Sequence, residues 1–178
     1  GDLIAIVDGV GHLWEAMLYE NNSLQLCSSF ESPVNEQTLS TPLIGLAVSV
    51  PKRGFDEILR MSCEIGVDII QPIVSDRSVV RIDGNGRISR WEGIVREAVE
   101  QSERLWKPEL RSILDVKNWL RDIPTKSACA FASPRLVRPT EFDLWMMKSK
   151  REIKQIWIAI GPEGGWTFEE QSLAKEVG

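Results

Sequence analysis

Positions 160–170 combine residue types that can bind a flat ligand through the backbone. The segment reads IGPEGGWTFEE, and Gly161, Gly164 and Gly165 follow an apolar run that ends at Ile160. Glycines leave N–H and C=O groups uncovered and allow a ligand to approach closely. The spacing matches neither the GxxxxGKS/T nor the GxGxxG phosphate-binding motif. A nucleotide phosphate is therefore not the expected ligand.

A backbone-lined slot that contacts an adenine edge and a methionyl group fits this segment better. A tight connection between a strand and a helix would use the same glycines, however. The spacing alone gives these two interpretations about equal weight.

Charged side chains in and outside this segment could also take part in chemistry. Glu163 is the only carboxylate among the glycines, so it could accept a proton or orient a ligand. It could equally be an acidic residue that the dipole of the following helix favours. Arg77 and Arg104 could bind a phosphate or offset negative charge, because a guanidinium suits bidentate phosphate contacts. Arg90 and Arg96 fit a solvated helix face as well as a binding role.

An alternation of strands and helices after position 40 positions these residues. A continuous apolar run predicts a strand covered on both faces at 43–50, and further strands are predicted at 67–74, 127–132 and 153–160. Periodicity predicts helices at 55–65, 89–102 and 140–150, with a further helix from 167. Capping boxes are predicted at Ser89 with Glu92 and at Thr167 with Glu170. The pattern predicts an α/β domain with a mainly parallel sheet, in which ligands bind at the carboxyl ends of the strands.

The first 40 residues predict a separate, small β domain. Short strands are expected at 3–7, 13–19 and 23–28, with turn residues between them. The polar stretch 31–41 suits a linker. We therefore expect one domain at 1–40 and a second at 41–178.

Cysteine and histidine content argues against metal and thiol chemistry. Cys27, Cys63 and Cys129 are far apart, and His12 is the only histidine, so neither a zinc site nor a Cys/His nucleophile is expected. No run of eighteen apolar residues and no leader segment occurs, so we expect no membrane span. A reducing cytoplasm is the expected location.

Charge is unevenly distributed along the chain. The net charge is −5, yet residues 1–51 hold six acidic residues and no Lys or Arg. Basic residues concentrate at 77–90 and 134–154. These stretches could bind phosphates or be solvated surface. Trp91 and Trp157 lie in apolar stripes and are expected in the core, whereas Trp166 receives no assignment.

Several motifs occur together in one order along the chain. They are EIGV at 64–67, SDRSV at 75–79, RW at 90–91 with EQS at 100–102, and IGPEGG at 160–165. In this order they resemble the small-subunit ribosomal RNA uridine-N3 methyltransferase family of the SPOUT superfamily. The resemblance extends from Gly1 to Gly178.

The resemblance implies a fold and an activity. It implies a SPOUT methyltransferase domain with a C-terminal trefoil knot, preceded by a small PUA-like β-barrel that binds RNA. The activity would be S-adenosylmethionine-dependent methylation of N3 of a uridine in small-subunit ribosomal RNA, by a homodimer. A SPOUT enzyme that acts on another RNA such as tRNA, or a non-catalytic RNA-binding homologue, is the alternative. The family pattern also includes a β-strand before Gly1, and a last motif after Gly178 that supplies part of the pocket and of the knot.

The resemblance also implies roles for individual residues. Glu163 and Arg104 would be catalytic. Cofactor contacts would come from Ala132, Ser133, Pro134, Ile160, Gly161, Pro162, Glu163, Gly164 and Gly165. Contacts with RNA would come from Arg77, Arg81, Arg90, Gln101 and Arg104.

Overall fold

The N-terminal part of the protein is an antiparallel sheet. A computed structural model of the chain describes residues 1–80, 86–133, 145 and 152–177. Within them the first sheet contains β1 (Asp2–Val7), β2 (His12–Leu18), β3 (Leu24–Leu26) and β4 (Asn35–Glu36). β2 pairs antiparallel with each of the other three. The three predicted N-terminal strands are confirmed, the third in a shorter form.

A parallel sheet begins at position 43. Its strands are β5 (Leu43–Ser49), β6 (Ile69–Val74), β7 (Glu109–Leu110), β8 (Leu114–Asp115), β9 (Ser127–Ala132) and β10 (Gln155–Ile160). The order is β7-β6-β5-β10-β9, with β8 also on β6, and every pairing is parallel. The predicted α/β class with a mainly parallel sheet is therefore confirmed.

Helices cover both faces of the parallel sheet. They are α1 (Phe55–Glu64), α2 (Gly86–Gln101), α3 (Val116–Asp122) and α4 (Phe168–Val177). α1 and α2 pack on the face that includes Val48, and α3 and α4 pack on the face that includes Ala47. Because neighbouring residues of β5 point to opposite faces, a continuous apolar run is needed there. No helix of the described residues is long and apolar enough to cross a membrane.

Two local expectations differ from the structure. α2 already includes Gly86, so Ser89 lies inside the helix and cannot be its N-cap as predicted. The short elements β7, β8 and α3, between 109 and 122, were not predicted, because two-residue strands and a seven-residue helix are too short for a periodic pattern. The predicted helix at 140–150 lies outside the described residues, apart from position 145.

The antiparallel sheet contacts the segment that follows α2. Gly11 N donates to Leu105 O at 2.9 Å, and Lys107 N donates to Gly9 O at 2.9 Å. The Trp106 indole N–H donates to Gln37 O at 2.7 Å. These bonds link the two sheets through the main chain as well as through side chains.

Candidate active site

The end of β10 and the end of β9 lie side by side at one edge of the parallel sheet. Ile160 pairs with Ala132 in the register of the two strands. A cleft of about 440 Å³ opens here. Its lining is Arg77, Ala132, Ser133, Ile160, Gly161, Pro162, Glu163, Gly164, Gly165, Trp166 and Gln171. Eight of the nine predicted cofactor contacts thus line one cleft, and the ninth, Pro134, lies outside the described residues.

Trp166 forms a wall of this cleft that the sequence did not assign. Its indole N–H donates to Ala132 O at 2.9 Å, and only 4% of the residue is exposed. The ring lies 4.5 Å from Phe131, measured between centroids. A Cβ on Gly161 would come within 2.8 Å of the indole. The position of Trp166 therefore requires glycine at 161. In the sequence, the aromatic residue directly after Gly164-Gly165 was the feature that could have pointed to Trp166 as part of the site.

The glycine-rich loop between β10 and α4 (residues 161–167) is held in a defined shape. Gly165 N donates to Pro162 O at 2.8 Å, which closes a turn. Gly165 has a φ of 70°, a conformation that side-chain-bearing residues rarely adopt. Thr167 N donates to Glu170 Oε2 at 2.7 Å, and Glu170 N donates to Thr167 Oγ1 at 3.2 Å. The predicted capping box at the start of α4 is confirmed.

Glu170 also links this loop to a second loop, residues 75–78, which follows β6. The side chain is fully buried, and its Oε1 accepts a hydrogen bond from Asp76 N at 3.0 Å. Lys117 of α3 lies 3.0 Å from Glu169 Oε2 and 3.1 Å from Asp76 Oδ2. Hydrogen bonds to Glu169 and Asp76 raise the pKa of the Lys117 ammonium. The Glu170 carboxylate therefore caps α4 and also holds the loop at 75–78 in place.

Arg77, predicted as an RNA contact, contacts the glycine-rich loop. Its Nη1 donates to Gly164 O at 3.0 Å and to Trp166 O at 3.3 Å. A Cβ on Gly164 would lie 3.2 Å from Arg77 Cβ. A side chain at position 164 would therefore press on Arg77, which would have to shift slightly.

Arg104 does not lie with Glu163. Its Nη1 donates to Cys63 O at 3.0 Å and to Val67 O at 2.9 Å, and its Nη2 lies 3.6 Å from Asp68 Oδ1. These partners precede β6, at the amino-terminal edge of the parallel sheet. The cleft is at the carboxyl edge, so the structure separates the two residues predicted to be catalytic.

The other predicted RNA contacts lie on α2 or outside the described residues. Arg90 is exposed and forms an ion pair with Asp56 of α1. Gln101 is exposed at the end of the helix. Arg81 lies outside the described residues. The expectation that Trp91 and Trp157 belong to the core is confirmed.

Two of the cysteines are poor nucleophiles. Burial raises the pKa of the Cys129 thiol to about 12. Burial also raises the pKa of Cys63, which lies on the buried face of α1. Among the described residues, no cluster of three His, Cys, Asp or Glu side chains could hold a metal ion. The cleft instead offers backbone groups, one carboxylate and one guanidinium.

Comparison with known proteins identifies the family. Residues 39–178 match the RNA methyltransferase domain. The chain belongs to this RNA methyltransferase family. It is 33% identical over 175 residues to the ribosomal RNA small subunit methyltransferase E of Synechocystis sp., covering 98% of this chain and 56% of the relative. It is 26% identical over 176 residues to the protein of that name from Rickettsia conorii, covering 97% and 64%. The chain thus spans less than two thirds of the length of these relatives. The family match confirms the resemblance that was drawn from the sequence motifs.

Solved structures of RNA methyltransferases share the fold. The chain superposes on ribosomal RNA small subunit methyltransferase E from Neisseria gonorrhoeae, bound to S-adenosyl methionine, with a TM-score of 0.76 and 30% identity. The match covers 99% of this chain and 72% of that one. A probable rRNA-methyltransferase from Porphyromonas gingivalis gives a TM-score of 0.82 at 23% identity, covering 100% and 74%. The second likeness concerns the fold alone.

Proposed function

We propose that the cleft at the carboxyl ends of β9 and β10 binds S-adenosylmethionine, and that the protein methylates N3 of a uridine in small-subunit ribosomal RNA. The glycine-rich loop carries this proposal, because its glycines line the cleft and carry no side chain that would keep a ligand from the backbone. A volume of about 440 Å³ lies within the usual range of small-molecule sites. The relatives named for ribosomal RNA methylation support the substrate class.

The charge of the lining fits this cofactor better than a nucleotide phosphate. Arg77 and Glu163 are the two charged residues that line the cleft in the described structure. Nη1 of Arg77 already donates to two carbonyl groups of the loop. A polyphosphate would need several free cations or a row of free N–H groups. An adenosine with a zwitterionic amino-acid tail needs only peptide donors and acceptors and one or two charges.

Bound in this cleft, S-adenosylmethionine would supply a methyl group already activated by its sulfonium. The protein must then position the uracil and remove its N3 proton. Glu163 is exposed in the cleft and is our candidate for the proton acceptor. We assign no catalytic role to Arg104, because its guanidinium donates to backbone carbonyl groups at the opposite edge of the sheet.

The proposal includes the further family features. The domain at 41–178 would contain the trefoil knot, the domain at 1–40 would be the PUA-like RNA-binding module, and the enzyme would be a cytoplasmic homodimer. Exposed Arg90 and Gln101 on α2 remain candidates for RNA contact. Six acidic residues without a Lys or Arg make 1–51 a poor phosphate-binding surface by itself. We therefore propose that RNA binding by the N-terminal sheet uses basic groups from a partner subunit.

The test measures cofactor binding and the site of methylation. Calorimetric titration of the protein with S-adenosylmethionine should show one site per chain. Transfer of labelled methyl groups should modify small-subunit RNA, and mass spectrometry of nuclease fragments should place the methyl group on N3 of one uridine. Labelled methyl groups on tRNA instead would support the alternative that the enzyme acts on another RNA such as tRNA. Absence of cofactor binding would support a non-catalytic RNA-binding protein.

A matched pair of variants tests the proton acceptor. Glu163→Gln removes the carboxylate in the cleft, and Glu176→Gln makes the same change on the exposed part of α4. Methyl transfer should fall about a hundredfold or more in the first variant, a larger change than any in its cofactor affinity, and should not change in the second. Equal activity of both variants would remove Glu163 from the mechanism.

A further inference from the structure

We propose that Arg77 is a positioning residue, which holds the glycine-rich loop in the shape that binds the cofactor. The effect on cofactor binding rests on the proposed function, whereas the effect on the loop does not. The family resemblance predicted Arg77 as an RNA contact, and the geometry points to a different primary role.

The contacts of Arg77 surround the most constrained residue of the loop. Its Nη1 donates to Gly164 O and to Trp166 O, the carbonyl groups on either side of Gly165. Gly165 has the left-handed φ of 70° and closes the turn to Pro162. One cationic donor thus fixes the peptide plane that enters Gly165 and the peptide plane that follows Trp166. Hydrogen bonds from a charged donor are stronger than those between neutral groups.

The loop that carries Arg77 is itself anchored to two elements. Ser78 Oγ accepts from Ser75 N at 2.9 Å and lies 2.8 Å from Ser49 Oγ, at the buried end of β5. On the other side, Asp76 N donates to the fully buried carboxylate of Glu170. The loop at 75–78 is therefore held by the sheet and by α4. A guanidinium carried by such a loop can transmit that rigidity to the glycine-rich loop.

This arrangement reduces the conformational entropy that the glycine-rich loop loses when a ligand binds. A glycine-rich loop is flexible unless other groups hold it, and a ligand that must order it loses affinity. Nη1 of Arg77 supplies the restraint before any ligand is present. Removing the guanidinium should therefore open the loop in the free protein and weaken cofactor binding together.

The experiment compares Arg77→Ala and Arg77→Lys with Arg60→Ala as a control. Arg60 is an exposed residue of α1 whose ion pair is with Glu57, so the control removes the same charge away from the cleft. The first readout is hydrogen exchange of amides 163–167 in the cofactor-free protein. The second is calorimetric affinity for S-adenosylmethionine, and the third is binding of small-subunit RNA as a function of salt.

In Arg77→Ala, loop exchange should become about tenfold faster and cofactor affinity about tenfold weaker, the loss expected for a charge-assisted hydrogen bond. Arg77→Lys should recover part of both, because one ammonium can reach one carbonyl. Arg60→Ala should match wild type. Unchanged loop exchange in Arg77→Ala would overturn the inference, and a loss confined to RNA affinity and its salt dependence would assign Arg77 to RNA. If wild type does not bind the cofactor, the proposed function fails, while loop exchange still decides the role of Arg77.

Discussion

Gly161→Ala should damage the cleft through a single added methyl group. An ideal Cβ at this position would lie 2.8, 3.0 and 3.1 Å from three atoms of the Trp166 ring. Real Cβ atoms essentially never show a contact of 2.8 Å, so the ring or the loop must move. The ring is packed against Phe131, and its N–H is bonded to Ala132 O. Movement therefore disturbs the end of β9 as well as the loop.

The size of the effect follows from two contributions. Overpacking of a rigid site costs about 1–3 kcal/mol. Loss of the hydrogen bond from Trp166 to Ala132 costs about 0.5–1.5 kcal/mol more. The free energy of unfolding should fall by about 2–4 kcal/mol, which at a urea slope of about 2 kcal/mol/M lowers the midpoint by about 1–2 M. Under the proposed function, affinity for S-adenosylmethionine should fall as well.

Gly93→Ala is the matched control for this substitution. Gly93 lies inside α2, and a Cβ there would meet no atom within 4 Å. The same chemical change should stabilise the protein by about 0.5–1 kcal/mol, because alanine has the higher helix propensity. Urea denaturation of both variants and wild type gives the two signs in one experiment. A Gly161→Ala protein as stable as wild type, with unchanged cofactor affinity, would refute the packing argument.

Three further outcomes are expected. Arg104→Ala should lower the free energy of unfolding by about 2–4 kcal/mol, because it leaves buried carbonyl groups and a carboxylate without their partner. Its cofactor affinity should not change, and a variant of normal stability that has lost methyl transfer would restore a catalytic role for Arg104. Glu170→Gln should speed the exchange of loop amides 163–167, because an amide NH₂ would face an N–H donor, and unchanged exchange would argue against the link between the two loops. Iodoacetamide at pH 8 should alkylate the exposed Cys27 of the native protein and spare the buried Cys63 and the half-buried Cys129. The Cys129 thiol, with a pKa of about 12, is ionised only to about one part in ten thousand at this pH. Mass spectrometry of tryptic peptides distinguishes the three cysteines.

Local patterns in the sequence predicted the elements that are long enough to be periodic. The strand at 127–132 was predicted with its observed bounds, because five consecutive apolar residues follow Ser127 and end before Ser133. The helix predicted at 55–65 is observed as Phe55–Glu64 with Ile65 as its C-cap, and the φ of 92° at Gly66 explains the glycine that follows. The start of α2 was misplaced, because Ser89 and Glu92 satisfy the spacing of a capping box inside a helix that already includes Gly86. Spacing alone does not distinguish a cap from a pair on a helix surface.

The apolar run and the glycines were enough to predict a loop after a buried strand, and the family resemblance predicted cofactor contacts at eight residues that the structure places around one cleft. How the loop is held depends on long-range contacts that no local pattern reveals. Arg77 is 87 positions from Gly164, Asp76 is 94 positions from Glu170, and Ala132 is 34 positions from Trp166. Contacts at such separations leave no periodic trace, because they depend on the order in which the strands enter the sheet. β10 lies between β5 and β9, and that placement brings three distant segments to one cleft.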